Sequence, residues 1–130
     1  MTNERSIKDT IRLFVGALPT VRLFTNPCGV AYVGAPQWTS GRVMLTKPRM
    51  IHFGLQDGSA DLIGWRSVVI TPEMVGKTVA QFVSIETKKS KGGKATNEQM
   101  QWRNVVHAHG GLAVIVNSLD EVKNALEEKI

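Results

Sequence analysis

A single cysteine, Cys28, is all the thiol chemistry this 130-residue chain contains. That excludes an internal disulfide and a cysteine-built zinc site. The polar start Met1–Arg5 lacks the apolar stretch of a signal peptide. No run is long and apolar enough to cross a bilayer, because Ile11–Phe24 is broken by Arg12, Pro19 and Arg22. With 42% hydrophobic and 21% charged residues, the composition is that of a folded globular protein rather than a disordered one. A chain of this size hides roughly two-thirds of its unfolded surface, enough for a core without staples. One soluble cytoplasmic domain over residues 1–130 is expected.

Acidic residues are also in short supply: eleven Asp and Glu face sixteen Lys and Arg, leaving a net charge of +5. That balance favours anionic partners, nucleic acid first among them. The signs are segregated along the chain. Lys88, Lys89, Lys91 and Lys94 fall in a stretch without a single acid, whereas Asp120, Glu121, Glu127 and Glu128 gather at the C-terminal end. A nucleotide-binding P-loop is excluded despite the Gly92-Gly93-Lys94 run. Its pattern requires glycine where Lys88 stands and serine or threonine where Ala95 stands. His107 and His109 are two apart on an expected helix and cannot share a metal.

Apolar spacing predicts a first helix over Asn3–Val15, closed by Pro19. Short strands are expected at Val21–Thr25 and Gly29–Val33, around the turn Asn26-Pro27-Cys28-Gly29. Ala35–Lys47 reads as a loop and Pro48–Phe53 as a strand. After the turn-rich Gly54–Ser59 come Ala60–Trp65, Ser67–Ile70 and Lys77–Thr87 as strands, with a short helical start at Thr71-Pro72-Glu73. Thr96 and Gln99 form a capping box opening a second helix that Gly110-Gly111 ends. Leu112–Val116 is a buried strand, and Ser118 with Glu121 opens a last helix. This order describes an α/β protein with a mixed central sheet flanked by helices.

Alternation along Gln81–Thr87 puts Phe82, Ser84 and Glu86 on one face, which Lys88 continues. Same-face neighbours two apart sit roughly 7 Å from each other, so a carboxylate and an ammonium are presented together beside a basic loop. Asp61 begins an earlier strand after a Gly-Ser turn. If the strands pair, Asp61 and Glu86 can offer hard oxygen ligands to Mg²⁺ or Mn²⁺, with Lys88 beside the attacking water. Such a site suits phosphodiester hydrolysis: a metal-activated water, and a lysine to stabilise charge on phosphorus. Taken singly, a Glu-x-Lys pair is more often a solvated salt bridge, and an aspartate after glycine more often turn chemistry.

The run Gly54-Leu55, then Gly58-Ser59-Ala60-Asp61-Leu62-Ile63-Gly64-Trp65, followed by Phe82-Val83-Ser84-Ile85-Glu86-Thr87-Lys88, Gln99 and Gly110-Gly111, resembles the virus-type replication-repair nuclease (VRR-NUC) domain. That family belongs to the PD-(D/E)xK nuclease superfamily, and the resemblance covers about Glu4 to Ser118. It implies a restriction-endonuclease-like PD-(D/E)xK core. It further implies a metal held by Asp61, Glu86 and the Thr87 carbonyl, with Lys88 as the catalytic lysine. Glu4 stands where a helix acid completes the family's site, directly or through water, though a first-turn acid at a helix start is the other reading. Gln99 is either the family's helix glutamine or only the third residue of its capping box. Ala60 replaces the proline of the superfamily name. The chain resembles the small stand-alone phage and bacterial members, which act as homodimers on branched DNA, including four-way (Holliday) junctions. Lys89, Lys91, Lys94, Arg103 and Arg42 are candidates for DNA phosphates. Phe24, Tyr32 and Trp38 are candidates for a dimer surface or for the core. A flap or general nuclease, and a DNA-binding module without catalysis, remain the alternatives.

Overall fold

The computed structural model describes residues 3–128; the polar start at Met1 and Thr2 lies outside them. Three helices and six strands follow one another as α1 (Glu4–Gly16), β1 (Val21–Thr25), β2 (Gly29–Thr39), β3 (Arg42–Phe53), β4 (Leu62–Arg66), β5 (Val83–Thr87), α2 (Asn97–Ala108), β6 (Leu112–Val116) and α3 (Leu119–Glu127), with one 3₁₀ turn at Pro72–Met74. The protein is therefore mixed α/β. No helix among the described residues is long and apolar enough to cross a membrane. The strands pair as three two-stranded sheets, β1 with β4, β2 with β3 and β5 with β6, rather than as one central ladder. The chain divides into two compact units, Met1–Gly64 and Trp65–Ile130.

In the first unit, Asn3 caps α1 by accepting the Ser6 amide on its side-chain oxygen at 2.8 Å. The segment Ala35–Lys47, expected as a loop, is instead the middle of a long hairpin, in which β2 runs antiparallel to β3 from Gly29 opposite Phe53 to Thr39 opposite Arg42. The reversal is made by Ser40 and Gly41, both at positive φ (37° and 76°), the conformation a two-residue hairpin turn requires. Proline at position 36 masks the strand from a propensity reading. A two-stranded ribbon leaves one edge of each strand unpaired, where a missing N–H removes no ladder bond. A bulge interrupts the register between Val33 and Ala35, and Lys47, at φ 49°, lies in the facing stretch of β3.

The second unit holds the buried core: Val106 of α2 with Ala113 and Val116 of β6. β5 and β6 run parallel, Val83 opposite Leu112 through Thr87 opposite Val116, and α2 and α3 both pack on β6. Of the expected strand Lys77–Thr87 only the last five residues are extended pairing, and Ser67–Ile70 is irregular. Both irregular stretches are tied instead to the end of α2: Ser67 Oγ donates to the His109 carbonyl at 3.0 Å, and Gln81 Nε2 to that of Gly110 at 3.1 Å. Trp65 packs on Phe82, Trp102 and His109, at ring separations of 4.7, 5.9 and 5.8 Å.

Candidate active site

Strand β5 inverts the usual rule for a half-covered strand. Val83 and Ile85 are exposed at 44% and 45%, while Ser84, Glu86 and, just beyond the strand, Lys88 lie on the more covered face. That face meets α2, whose Gln99, Trp102 and Val106 recur at helical spacing. Trp102 Nε1 donates to Ser84 Oγ at 2.8 Å, and Gln99 Nε2 donates to Glu86 Oε1 at 2.8 Å. The ammonium of Lys88 stands 3.5 Å from the same Oε1. Ser84, Glu86 and Lys88 are thus the side chains that β5 turns toward α2, with Lys88 19% and Glu86 43% exposed.

Gln99 closes the capping box and also reaches Glu86. Its Oε1 accepts the Thr96 amide at 2.9 Å and its own amide donates to Thr96 Oγ1 at 3.2 Å, closing the capping box. Its Nε2 is then aimed outward at Glu86. Helix register and carboxylate position are thereby fixed by one side chain. Gln99→Ala is expected to lower stability by about 1 kcal/mol through the lost cap, read as a small fall in melting temperature. Any activity at Glu86 should fall more steeply, because the carboxylate loses its neutral hydrogen-bond donor.

The cavity beside this group, about 260 Å³, is lined by Ser84, Glu86, Glu98, Gln99, Trp102 and Arg103 among others. Arg103 Nε is buried there without a hydrogen-bond partner among the described residues, an arrangement that calls for a ligand oxygen or water. Lys89, Lys91 and Lys94 are exposed in the loop after β5. That loop doubles back on its own start, for a side chain at Gly93 would come within 2.9 Å of Lys88 Cβ and of the Lys89 nitrogen. Thr87, at the end of β5, is exposed.

Asp61 and Glu4 belong to the first unit. Asp61 is exposed, one residue before β4, and its carbonyl accepts the Asn26 amide at 2.8 Å. The Asn26 side chain organises the whole turn before it. Its Nδ2 donates to Ser59 Oγ (2.8 Å) and to the Ala60 carbonyl (2.9 Å), and its Oδ1 accepts the Leu55 amide (3.0 Å). Cys28 Sγ joins the same cluster, 3.3 Å from Ser59 Oγ. Glu4 is an exposed first-turn residue of α1, and Arg42 is exposed at the start of β3. Among the described residues no group of three or more His, Cys, Asp or Glu side chains stands ready to hold a metal ion. Glu86, Lys88, Gln99 and Arg103 are what the structure brings together.

No family model, curated protein or solved structure matches this chain. Function therefore rests on the site itself. Two side-chain contacts, one in each unit, escape sequence reasoning. Asn26 reads as one turn residue among several, with no signal that its side chain holds a loop some thirty residues away. Ser84 reads as filler on an alternating strand, and its bond to Trp102 follows only from how α2 lies on β5.

Proposed function

We propose that this chain is a Mg²⁺- or Mn²⁺-dependent DNA endonuclease with a PD-(D/E)xK core, acting on branched DNA such as four-way junctions as a cytoplasmic homodimer. The observation that carries the reading is the Glu86–Lys88 pair on the covered face of β5, oriented by Gln99. A salt bridge formed only for surface solubility needs neither a helix glutamine aimed at it nor a cavity beside it. Glu86 keeps Oε2 free of hydrogen bonds among the described residues, and a carboxylate oxygen is a preferred ligand of a hard divalent cation. In the proposed enzyme Asp61, Glu86 and the Thr87 carbonyl would hold the metal, with Glu4 contributing directly or through water.

When bound, the metal would polarise the phosphoryl oxygen and lower the pKa of a coordinated water. The chain's own residues supply the rest. Lys88 places a positive charge where negative charge builds on phosphorus, a contribution that grows in a site shielded from bulk water. Gln99 keeps Glu86 from rotating away. Arg103, at the cavity wall, offers its guanidinium charge to a phosphate, while Lys89, Lys91, Lys94 and Arg42 hold flanking phosphates and fix the position of the DNA.

Cleavage of end-labelled four-way junction, flap and linear duplex, with Mn²⁺, Mg²⁺ or EDTA, tests the proposal. Symmetric metal-dependent nicks in the junction are expected, with EDTA abolishing them. Tight DNA binding with no cutting and no Mn²⁺ uptake by calorimetry would overturn it in favour of a non-catalytic DNA-binding module.

A further inference from the structure

The long hairpin carries its apolar side chains in an unusual way. Alternation along β2 puts Val30, Tyr32, Gly34, Pro36 and Trp38 on one face, and the register adds Val43, Leu45, Met50 and His52 of β3 to it. Its one charged residue is Lys47, which the bulge sets opposite Gly34. The exposure of the face is high: Tyr32 63%, Trp38 78%, Met50 53%. Both arginines of β3, Arg42 and Arg49, oppose Thr39 and Val33 and so fall on the other face. β2 and β3 pair only with each other, and an isolated two-stranded hairpin is marginally stable in water.

No described residue of the first unit is buried. The chain exposes 10994 Å², whereas even two separately folded bodies of half its mass would together expose only about 8,200 Å². The surplus, about 2,800 Å² by that scaling, is of the order an obligate homodimer interface removes from each protomer, about 1,000–2,500 Å². We infer that the face built on Val30, Tyr32, Pro36, Trp38, Val43, Leu45 and Met50 is where a second copy of this chain docks, hairpin on hairpin. With Lys47 as its one cation, the face lacks the several phosphate contacts that hold DNA. An apolar face meeting its own twin across a two-fold axis is complementary by construction, and stacked sheets pack about 10 Å apart through such side chains. Arg42 and Arg49 are then left on the outer side of the dimer, free for DNA. The inference deepens the homodimer proposed above by naming its surface. Its test involves no DNA, so its failure leaves the nuclease chemistry standing.

The chain supplies its own internal control. Met50 lies on the proposed interface and Met44, opposite Gln37, on the other face, with exposures of 53% and 66% in the protomer. Sedimentation at micromolar concentration should give twice the 14.3 kDa of the chain. Peroxide should then oxidise Met44 several-fold faster than Met50, as read by peptide mass spectrometry. A monomer at all concentrations, or a dimer with equal oxidation of both methionines, would overturn the inference. A folded Tyr32→Lys/Trp38→Lys variant should sediment as a monomer while Gln37→Lys/Thr39→Lys stays dimeric, and a folded dimer of the first would count against the face. Should the first variant fail to fold by circular dichroism, the methionine comparison on the unaltered protein decides.

Discussion

Lys88→Ala is expected to reduce metal-dependent cleavage about 10²–10³-fold, the usual loss when one preorganised group that stabilises transition-state charge is removed. DNA affinity should change little, because Lys89, Lys91 and Lys94 remain exposed in the adjoining loop and phosphate binding is spread over many cations. Stability should change little as well. The Lys88 side chain is 19% and the Glu86 side chain 43% exposed, so water reaches one end of the pair, and such partly screened pairs contribute about 1 kcal/mol or less. Lys88→Arg should recover only part of the activity, since a planar guanidinium does not reproduce a compact ammonium 3.5 Å from the carboxylate. Single-turnover cleavage, filter binding and thermal unfolding on the same preparations separate these effects. Loss of DNA binding in step with cleavage would move Lys88 from chemistry to attachment.

The largest effect on stability is expected from Gly64→Ala. A Cβ at this position would collide with the carbonyl of Arg22 and come within 2.9 Å of the Leu23 Cα. The obstacle is the backbone of β1, not the end of a flexible side chain, so relief requires β1 and β4 to separate. A cost of about 3 kcal/mol or more follows, which for a chain of this length lowers the melting temperature by roughly 10 °C. Gly16→Ala is the matched control: nothing lies within 4 Å of its added methyl, and alanine favours the helix end by up to about 1 kcal/mol. Equal melting of the two variants would show that β1 and β4 do not approach as closely as described. Gly64 also lies three residues after Asp61, whose carbonyl bonds the Asn26 amide at the end of β1. Parting these strands should therefore weaken activity beyond the fraction unfolded.

Glu86, Lys88 and Gln99 were legible as a group because alternation on a strand and a Thr-x-x-Gln cap are local rules, set by backbone geometry over a few residues. The helix boundaries followed from the same kind of rule. Asn3 caps α1, Thr96 caps α2 and Ser118 caps α3, though Glu121 returns its carboxylate to the Asn117 amide rather than to Ser118. The hairpin is half hidden: Ser40-Gly41 is a turn pair, but the Gly, Pro, Ser and Thr of Ala35–Lys47, Pro36 among them, read as a loop until each strand is seen to have a single partner. The sequence by itself thus determined the α/β class, the helix caps and the face shared by Glu86 and Lys88. Tertiary structure alone decided that the strands join as three pairs, that Gln99 and Trp102 reach across to Glu86 and Ser84, and that Asn26 anchors the turn before Asp61. Those contacts join residues 13 to 34 positions apart. No local propensity encodes such a meeting, because it depends on how whole elements pack.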